Sequence, residues 1–210
     1  EPWEVKGNAA LALGLFRDER AAQPLLTALK DQNARVRGAA ATALGAIQAP
    51  GGLQALIAAL KDRDPEVRRN AAVSVERMGG AAAVEPLVQM LQDEDRTVRE
   101  VVARALGWPK DPRAVSALIA ALEDPYVNVQ INAAEALGQI KSPVAVDPLL
   151  GLLTHDEEAV RGAAANALGE LGDARAREAL VAMVRREERE IAMLRGLQAL
   201  AKLGHSGAAR

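Results

Sequence analysis

A twelve-residue stretch that recurs every 31 residues constrains the fold of this chain more than any other feature. It reads VRGAAATALGAI from Val36, VQINAAEALGQI from Val129 and VRGAAANALGEL from Val160. Self-similarity at a fixed period of about 20–50 residues is typical of stacked repeats rather than of one compact globule. Each copy is therefore one unit that needs its neighbours to bury its apolar face.

The stretch itself predicts an amphipathic helix. Counted from the valine as position 0, apolar residues stand at 0, +4, +8 and +11, which places them on one helical face. Turn and N-cap residues such as Asp62 to Pro65 precede it, and a glycine or polar break such as Gly172-Asp173 follows. Six copies begin at Val5, Val36, Val67, Val98, Val129 and Val160.

A second apolar segment follows in every repeat, as in GLQALIAALKD from Gly52 and AVEPLVQMLQD from Ala83. Pro24, Pro86 and Pro148 share one column near its start, where a helix tolerates the missing amide hydrogen. Each repeat is thus predicted to be a helical hairpin. A seventh copy fits after one extra residue within Arg185 to Glu190, a charged run that we interpret as a solvated helix end. We predict an all-α fold of about six and a half hairpins in one array over residues 1–210, with first helices starting near residues 4, 35, 66, 97, 128, 159 and 190.

Two charged columns run along the array. Lys6, Arg37, Arg68, Arg99 and Arg161 follow the valine, and Asp31, Asp62, Asp93 and Asp124 close the second helix. We predict a ladder of Arg–Asp contacts between these columns. A phosphate-binding stripe is the alternative, but the matching aspartates argue against it. Gln130 interrupts the arginine column, so we expect looser stacking there.

Composition excludes several classes of function. The net charge is −2 and only 2% of the residues are aromatic, which disfavours a nucleic-acid partner. There is no cysteine, and His155 and His205 are the only histidines, without partners at metal-ligand spacing. Neither a nucleophile motif nor a phosphate loop occurs. We therefore expect no enzyme activity and no cofactor. Apolar runs are too short to span a membrane, and we expect a cytoplasmic protein.

The pattern V-R-x2-A-A-x-A-L-G-x-[I/L], followed by D-x-x-A-V-x-P-L, resembles the HEAT-like repeats named after phycobilisome lyases. The resemblance covers essentially the whole chain. It implies a right-handed α-solenoid whose V-R helices line a concave face and whose second helices form a convex face. HEAT-like di-iron hydroxylases carry a repeated His-Glu set that this sequence lacks, so that activity is not expected.

Unrepeated side chains on the concave face are the candidate binding residues. Positions −2, −1, +2, +3, +6 and +10 should face the groove, where Trp and Arg are favoured at binding hot spots. The candidates are Arg69, Arg77, Arg96, Glu100, Arg104, Trp108, Glu135 and Gln139. Trp108 departs most from the pattern and precedes Pro109. It is either a binding anchor or a filler of a gap that Pro109 leaves.

The leading hypothesis is a non-enzymatic scaffold that binds a protein or peptide partner on the concave face. One alternative is a chromophore lyase-type subunit that holds a bilin-bearing protein, which the family resemblance alone supports. DNA binding, as in HEAT-like alkylpurine glycosylases, is the third. Trp3, Leu11, Leu15 and Phe16 should lie partly uncovered. We expect either a longer array or an end-to-end contact through this amino-terminal helix.

Overall fold

The computed structural model describes residues 2–16, 18–49 and 51–208, and within them the chain is helical without a β-strand. The thirteen α-helices found there are α1 Pro2–Phe16, α2 Ala22–Ala28, α3 Ala34–Ile47, α4 Gly52–Ala59, α5 Pro65–Met78, α6 Val84–Met90, α7 Arg96–Ala105, α8 Val115–Ala121, α9 Val127–Ile140, α10 Val146–Leu152, α11 Glu158–Leu171, α12 Ala176–Arg186 and α13 Glu190–Ala208. The odd-numbered helices carry the V-R pattern and are called first-layer helices. The even-numbered ones are called second-layer helices.

Helix ends follow from local side-chain chemistry. Asp64 caps α5, since its carboxylate accepts hydrogen bonds from the amides of Glu66 and Val67. Gln48 and Lys141 are the C-cap residues that follow α3 and α9, with φ of 48° and 59°, the left-handed conformation common at this position. The three prolines of the second helix each stand third in α2, α6 and α10. No intrahelical hydrogen bond is lost there.

The chain divides into two compact units, one ending at Ala105 and one beginning at Leu106. In the first unit α1, α3, α5 and α7 pack in sequence, and α2, α4 and α6 each pack against the next first-layer helix. In the second unit α9, α11 and α13 form the same kind of stack, against which α8, α10 and α12 pack. Hairpins stacked in this way make an α-solenoid, as the sequence predicts.

Repeated apolar columns form the core. The valines at position 0 from α3 to α11 are buried, and so are the leucines at +8 of α3, α9 and α11. Burying one such leucine contributes about 1.5–3 kcal/mol. Alanines fill the space between them, as at Ala40 and Ala41, so neighbouring helices approach closely.

Glycine at position +9 allows this close approach. A Cβ on Gly138 of α9 would lie 2.8 Å from the Cα of Ala167 in α11. A Cβ on Gly14 of α1 would likewise lie 2.9 Å from the Cα of Ala43. Position +9 of one first-layer helix therefore touches position +7 of the next, with no room for a side chain.

Helix α7 is shorter than its equivalents because of Pro109. It ends at Ala105 after 10 residues, whereas α3, α5, α9 and α11 have 14. Proline lacks the amide hydrogen that would bond to the carbonyl of Ala105, and it disfavours helical geometry at the preceding residue. A turn follows, in which the Lys110 amide donates to the Gly107 carbonyl at 3.3 Å.

Candidate binding surface

The predicted ladder of contacts between the position +1 cations and the aspartates is present within the first unit. Arg37 donates from Nε and Nη2 to the two carboxylate oxygens of Asp62, at 2.7 and 2.8 Å. Arg68 binds Asp93 with the same two distances, and Lys6 binds Asp31 at 3.0 Å. We call each such pair a rung. These cations serve the packing of the array, and the phosphate-stripe interpretation loses its main support.

Electrostatics within a rung favour the charged forms. Burial by itself would raise the pKa of Asp62, but hydrogen bonds from Arg37 and from the Asp64 amide hold that pKa below its ordinary value. The hydrogen bond to Asp62 raises the pKa of Arg37. Both side chains are largely buried. Each charge therefore compensates the other, and burying either one without its partner would cost desolvation free energy.

The last complete rung uses glutamate instead of aspartate. Arg161 donates from Nε and Nη2 to Glu187 at 2.6 and 2.8 Å. Glu187 is the C-cap residue that follows α12, and its side chain is almost fully buried. The interpretation of the charged run at 185–190 as a solvated helix end is therefore wrong at Glu187. The one extra residue in this run places the Glu187 carboxylate where the other repeats have the rung aspartate.

Gln130 and His155 replace the charged pair in the fifth repeat. The Gln130 amide nitrogen donates to the Asp124 carbonyl at 2.8 Å, as the rung arginines do to their own preceding helix ends. The Nδ1 atom of His155 accepts from the Glu157 amide at 3.0 Å. Oε1 of Gln130 is buried without a hydrogen-bond partner in the described part of the chain.

In the first unit the predicted binding residues lie on the accessible surface of the first layer. Arg77, Arg96 and Arg104 are exposed, while Arg69 and Glu100 are half-buried. Arg104 donates to Glu76 at 3.1 Å, and Glu76 occupies the position that is glycine in most repeats.

Arg69 and Arg77 are left without a counterion. Neither makes an ion pair with any residue in the ranges that the structure describes. Both residues belong to the first-layer helix α5 of the first unit. They are therefore available to an acidic partner.

In the second unit Trp108 stands out from its surroundings. Its side chain is 71% exposed, so the interpretation that it fills a gap left by Pro109 is wrong. Gln139 lies against Gly107, where a Cβ would meet its side-chain oxygen, and Glu135 is exposed. The structure thus places Gln139 beside Gly107, the residue that precedes Trp108 in the chain.

Further along the second unit, opposite charges compensate one another. Lys202 donates to Glu170, and Lys141 lies 3.8 Å from the same carboxylate. The hydrogen bond from Lys202 is the main reason that the pKa of Glu170 lies below its ordinary value. This part of the surface offers less uncompensated charge than Arg69 and Arg77 do.

Sequence reasoning missed an Asp-x-Arg clamp at three turns inside the hairpins. Arg20, Arg113 and Arg175 each bind the aspartate two residues earlier, as in Arg113 Nη2 to Asp111 at 2.6 Å. The aspartate also accepts from the arginine's own amide, which starts the next helix. The clamps recur on the 31-residue grid, and that spacing is the signal that could have revealed them.

Apolar side chains are exposed on the two terminal helices. On α1, Val5 is 70% exposed and Phe16 is 80% exposed, with Leu11 and Leu15 also accessible. On α13, Ile191, Leu194 and Leu197 are exposed. The expected partial uncovering of the amino-terminal helix is therefore observed: Leu11, Leu15 and Phe16 are exposed, and Trp3 is half-buried.

Metal-binding clusters and membrane-spanning helices are both absent from the described residues. No cluster of three or more His, Asp or Glu side chains there could hold a metal ion. Among the same residues, no helix is both long enough and apolar enough to cross a bilayer.

Several solved structures share this architecture. The complex of CpcE and CpcF of phycocyanin lyase from Nostoc sp. PCC7120 is 24% identical, with a TM-score of 0.60 over 95% of this chain and 89% of that chain. Human deoxyhypusine hydroxylase is 26% identical, with a TM-score of 0.52 over 97% of this chain and 80% of that one. A designed armadillo repeat protein in complex with the peptide (KR)4 is 18% identical, with a TM-score of 0.66 over 86% and 98%.

A comparison with curated proteins found no match. The family model for HEAT repeats matches residues 1–73, 53–128 and 115–201. These segments cover nearly all of the chain, and they include the hairpins whose rungs and glycine contacts are described above. The chain therefore belongs to the HEAT repeat family.

Proposed function

We propose that this chain is a non-enzymatic scaffold that binds a protein or peptide partner through the unrepeated side chains of its first-layer helices. The exposed Trp108 is the observation that carries the proposal. A large indole that is 71% exposed does not contribute the free energy of burial that it would have in a core. Tryptophan is also among the residues most enriched at binding hot spots. Gln139 and Glu135 of the same unit provide polar groups for orientation.

The first unit supports a partner with acidic groups. Arg69 and Arg77 carry charges that no described carboxylate compensates, and arginine suits planar, bidentate recognition of carboxylates. Arg104 is already paired with Glu76, whose side chain is largely buried, so Arg104 can bind a partner only by exchanging this ion pair. Arg96 and Glu100 complete the proposed surface of this unit.

The similar solved structures support the scaffold and not its specificity. The peptide held by the designed armadillo repeat protein is basic, opposite in charge to a partner for Arg69 and Arg77. Likeness to the phycocyanin lyase complex, at 24% identity, concerns the fold.

Affinity capture with three variants tests the proposal. Trp108→Ala and the double variant Arg69→Ala/Arg77→Ala are compared with the wild type, and Arg175→Ala serves as the control because it removes an exposed arginine held by Asp173. We expect the same protein to be retained by the wild type and the control, and lost by Trp108→Ala with an unchanged melting temperature. Equal retention by all four chains, or a large loss of stability in Trp108→Ala, would overturn the proposal.

A further inference from the structure

A pocket between α1 and α3 lies apart from the residues of the proposed function. It has a volume of about 410 Å³ and is lined by Trp3, Glu4, Gly7, Asn8 and Leu11 of α1 and by Arg35 and Ala39 of α3. All of these residues belong to the first unit and stand at the unrepeated positions of their helices. The pocket is therefore specific to the first two repeats.

Arg35 supplies a cation that is oriented but not neutralised. Its guanidinium carbon lies 4.8 Å from the centre of the Trp3 ring, within range of a cation–π interaction. Stacking uses the face of the guanidinium and leaves the N–H edge available. In the described ranges no carboxylate pairs with Arg35.

Apolar and backbone groups form the rest of the pocket. Leu11 is 44% exposed, and the Trp3 ring adds a second apolar wall. Gly7 leaves space, since a Cβ placed on it would meet nothing within 4 Å. An aliphatic side chain can occupy this space while a neighbouring carboxylate reaches Arg35.

Glu4 sets a limit on the charge of the ligand. Glu4 is one of the residues that line the same pocket, and a carboxylate repels a second carboxylate that comes close to it. A run of acidic residues would therefore be disfavoured, whereas one carboxylate beside one aliphatic group matches Arg35 and the apolar side chains of Trp3 and Leu11.

We propose that the pocket formed by Trp3, Gly7, Leu11 and Arg35 is a second binding site, which takes a peptide segment with one carboxylate next to an aliphatic residue. The carboxylate pairs with the N–H edge of Arg35, and the aliphatic side chain packs between Trp3 and Leu11. This site goes beyond the surface that contains Arg77 and Trp108 and does not depend on it.

Fluorescence anisotropy with labelled peptides tests the site. One probe carries an internal Leu-Glu pair and an amidated end, a second ends in leucine with a free carboxylate, and a Leu-Gln peptide with an amidated end is the control. Saturable binding of the first or the second probe, with no binding of the control, supports the proposal and identifies the carboxylate as a side chain or a terminus. Failure of both probes to bind overturns it.

Variants distinguish specific binding in this pocket from nonspecific binding to the surface of the protein. Arg35→Gln should weaken binding of the retained probe about tenfold or more, because it removes a charge-assisted hydrogen bond. Gly7→Leu should abolish binding by filling the pocket without lowering the melting temperature. Gly151→Leu is the matched control, since a Cβ there also meets nothing within 4 Å, and it should bind normally. Wild-type affinity in Gly7→Leu would contradict the proposal.

The outcome is independent of the proposed function. Trp108→Ala and Arg77→Ala should bind the peptide probes as the wild type does. Loss of probe binding in these two variants, with retention in Arg35→Gln, would place the peptide elsewhere and overturn the assignment of the pocket.

Discussion

In the repeats that carry arginine at position +1, its guanidinium donates to several acceptors that would otherwise be buried without a hydrogen-bond donor. Arg37 uses two donors on Asp62, and its Nη1 donates to the carbonyls of Asp31 and Gln32 at 2.9 Å each. It therefore joins the end of α4 to the end of α2. Lysine, with a single charged nitrogen, could not reproduce this fork, and Lys6 in the first repeat makes one contact only within the described chain.

Removing the carboxylate of a rung should be costly. We expect Asp62→Ala to lower the free energy of unfolding by about 3 kcal/mol, because it leaves a buried guanidinium without its counterion. Asp147→Ala is the control, since it removes a carboxylate that is 78% exposed and bound to Arg175, and it should cost less than about 1 kcal/mol. Urea denaturation of both variants measures the difference. Similar losses in the two would contradict a structural role for the rung.

The same carboxylates predict how stability depends on pH. Hydrogen bonds lower the pKa of Asp31, Asp62 and Glu187 in the folded chain from ordinary values of 3.8 for Asp and 4.5 for Glu. A depressed pKa stabilises the folded state above the unfolded value, and this contribution is lost as pH falls through the folded value. We therefore expect a melting temperature that is steady above about pH 5 and falls below about pH 4.

Asp62→Asn provides the check on this dependence. The variant cannot titrate at that position, so its deficit in melting temperature relative to the wild type should be largest near neutral pH and shrink toward pH 3. Circular dichroism melts at several pH values measure it. A deficit of constant size would show that the charge of Asp62 is not what stabilises the rung.

At the scale of helices, the glycine at position +9 decides how closely two first-layer helices pack. The contact recurs where Gly14 meets Ala43, where Gly138 meets Ala167 and where Gly169 meets Ala199. Where Ser74 replaces the alanine, its hydroxyl donates to the Ala41 carbonyl at 2.9 Å. A polar group at this depth is thus accepted only with a backbone partner.

A methyl group at position +9 should therefore destabilise the stack. We expect Gly138→Ala to cost about 1–3 kcal/mol through overpacking, although alanine favours helix formation. In Gly151→Ala the added methyl group meets nothing, so the substitution should stabilise the chain by about 0.5–1 kcal/mol. Thermal denaturation of the two variants compares them. Stabilisation by both would mean that the helices can move apart at no cost.

Most helices and most rungs were predictable because they repeat. The repeated columns that contain Val36 and Leu56 predict both helices of the hairpin by periodicity alone. Departures from the repeat were not predictable in the same way. Glu187 was missed as a rung because a one-residue insertion moves it off the grid, and the exposure of Trp108 depends on where Pro109 ends α7. The orientation of such residues is set by three-dimensional contacts.

At the scale of the molecule, each hairpin is stabilised by its neighbours. Among the described residues, the two terminal first-layer helices, α1 and α13, each have a first-layer neighbour on one side only. Val5 is 70% exposed, while its equivalent Val36 is fully buried. In a stacked array, stability is close to a sum of units and of interfaces between neighbours. Helices with one interface should therefore open more often than helices with two.

Hydrogen–deuterium exchange measures this difference. We expect amides of α1 and α13 to exchange faster than those of α3 and α11, since local opening there breaks fewer contacts. If α1 takes part in an end-to-end contact, its protection should rise with protein concentration. Equal protection of terminal and internal helices at high dilution would contradict the additive account.

The rung between Arg161 and Glu187 shows how the array absorbs an insertion. One residue is added between two hairpins, and a side chain longer by one methylene restores the bond to arginine. The boundary between hairpins can therefore change in length as long as a carboxylate stays within reach of the preceding guanidinium. For protein engineering, these boundaries are the natural places to graft a loop or an epitope, with Glu replacing Asp as the compensating substitution.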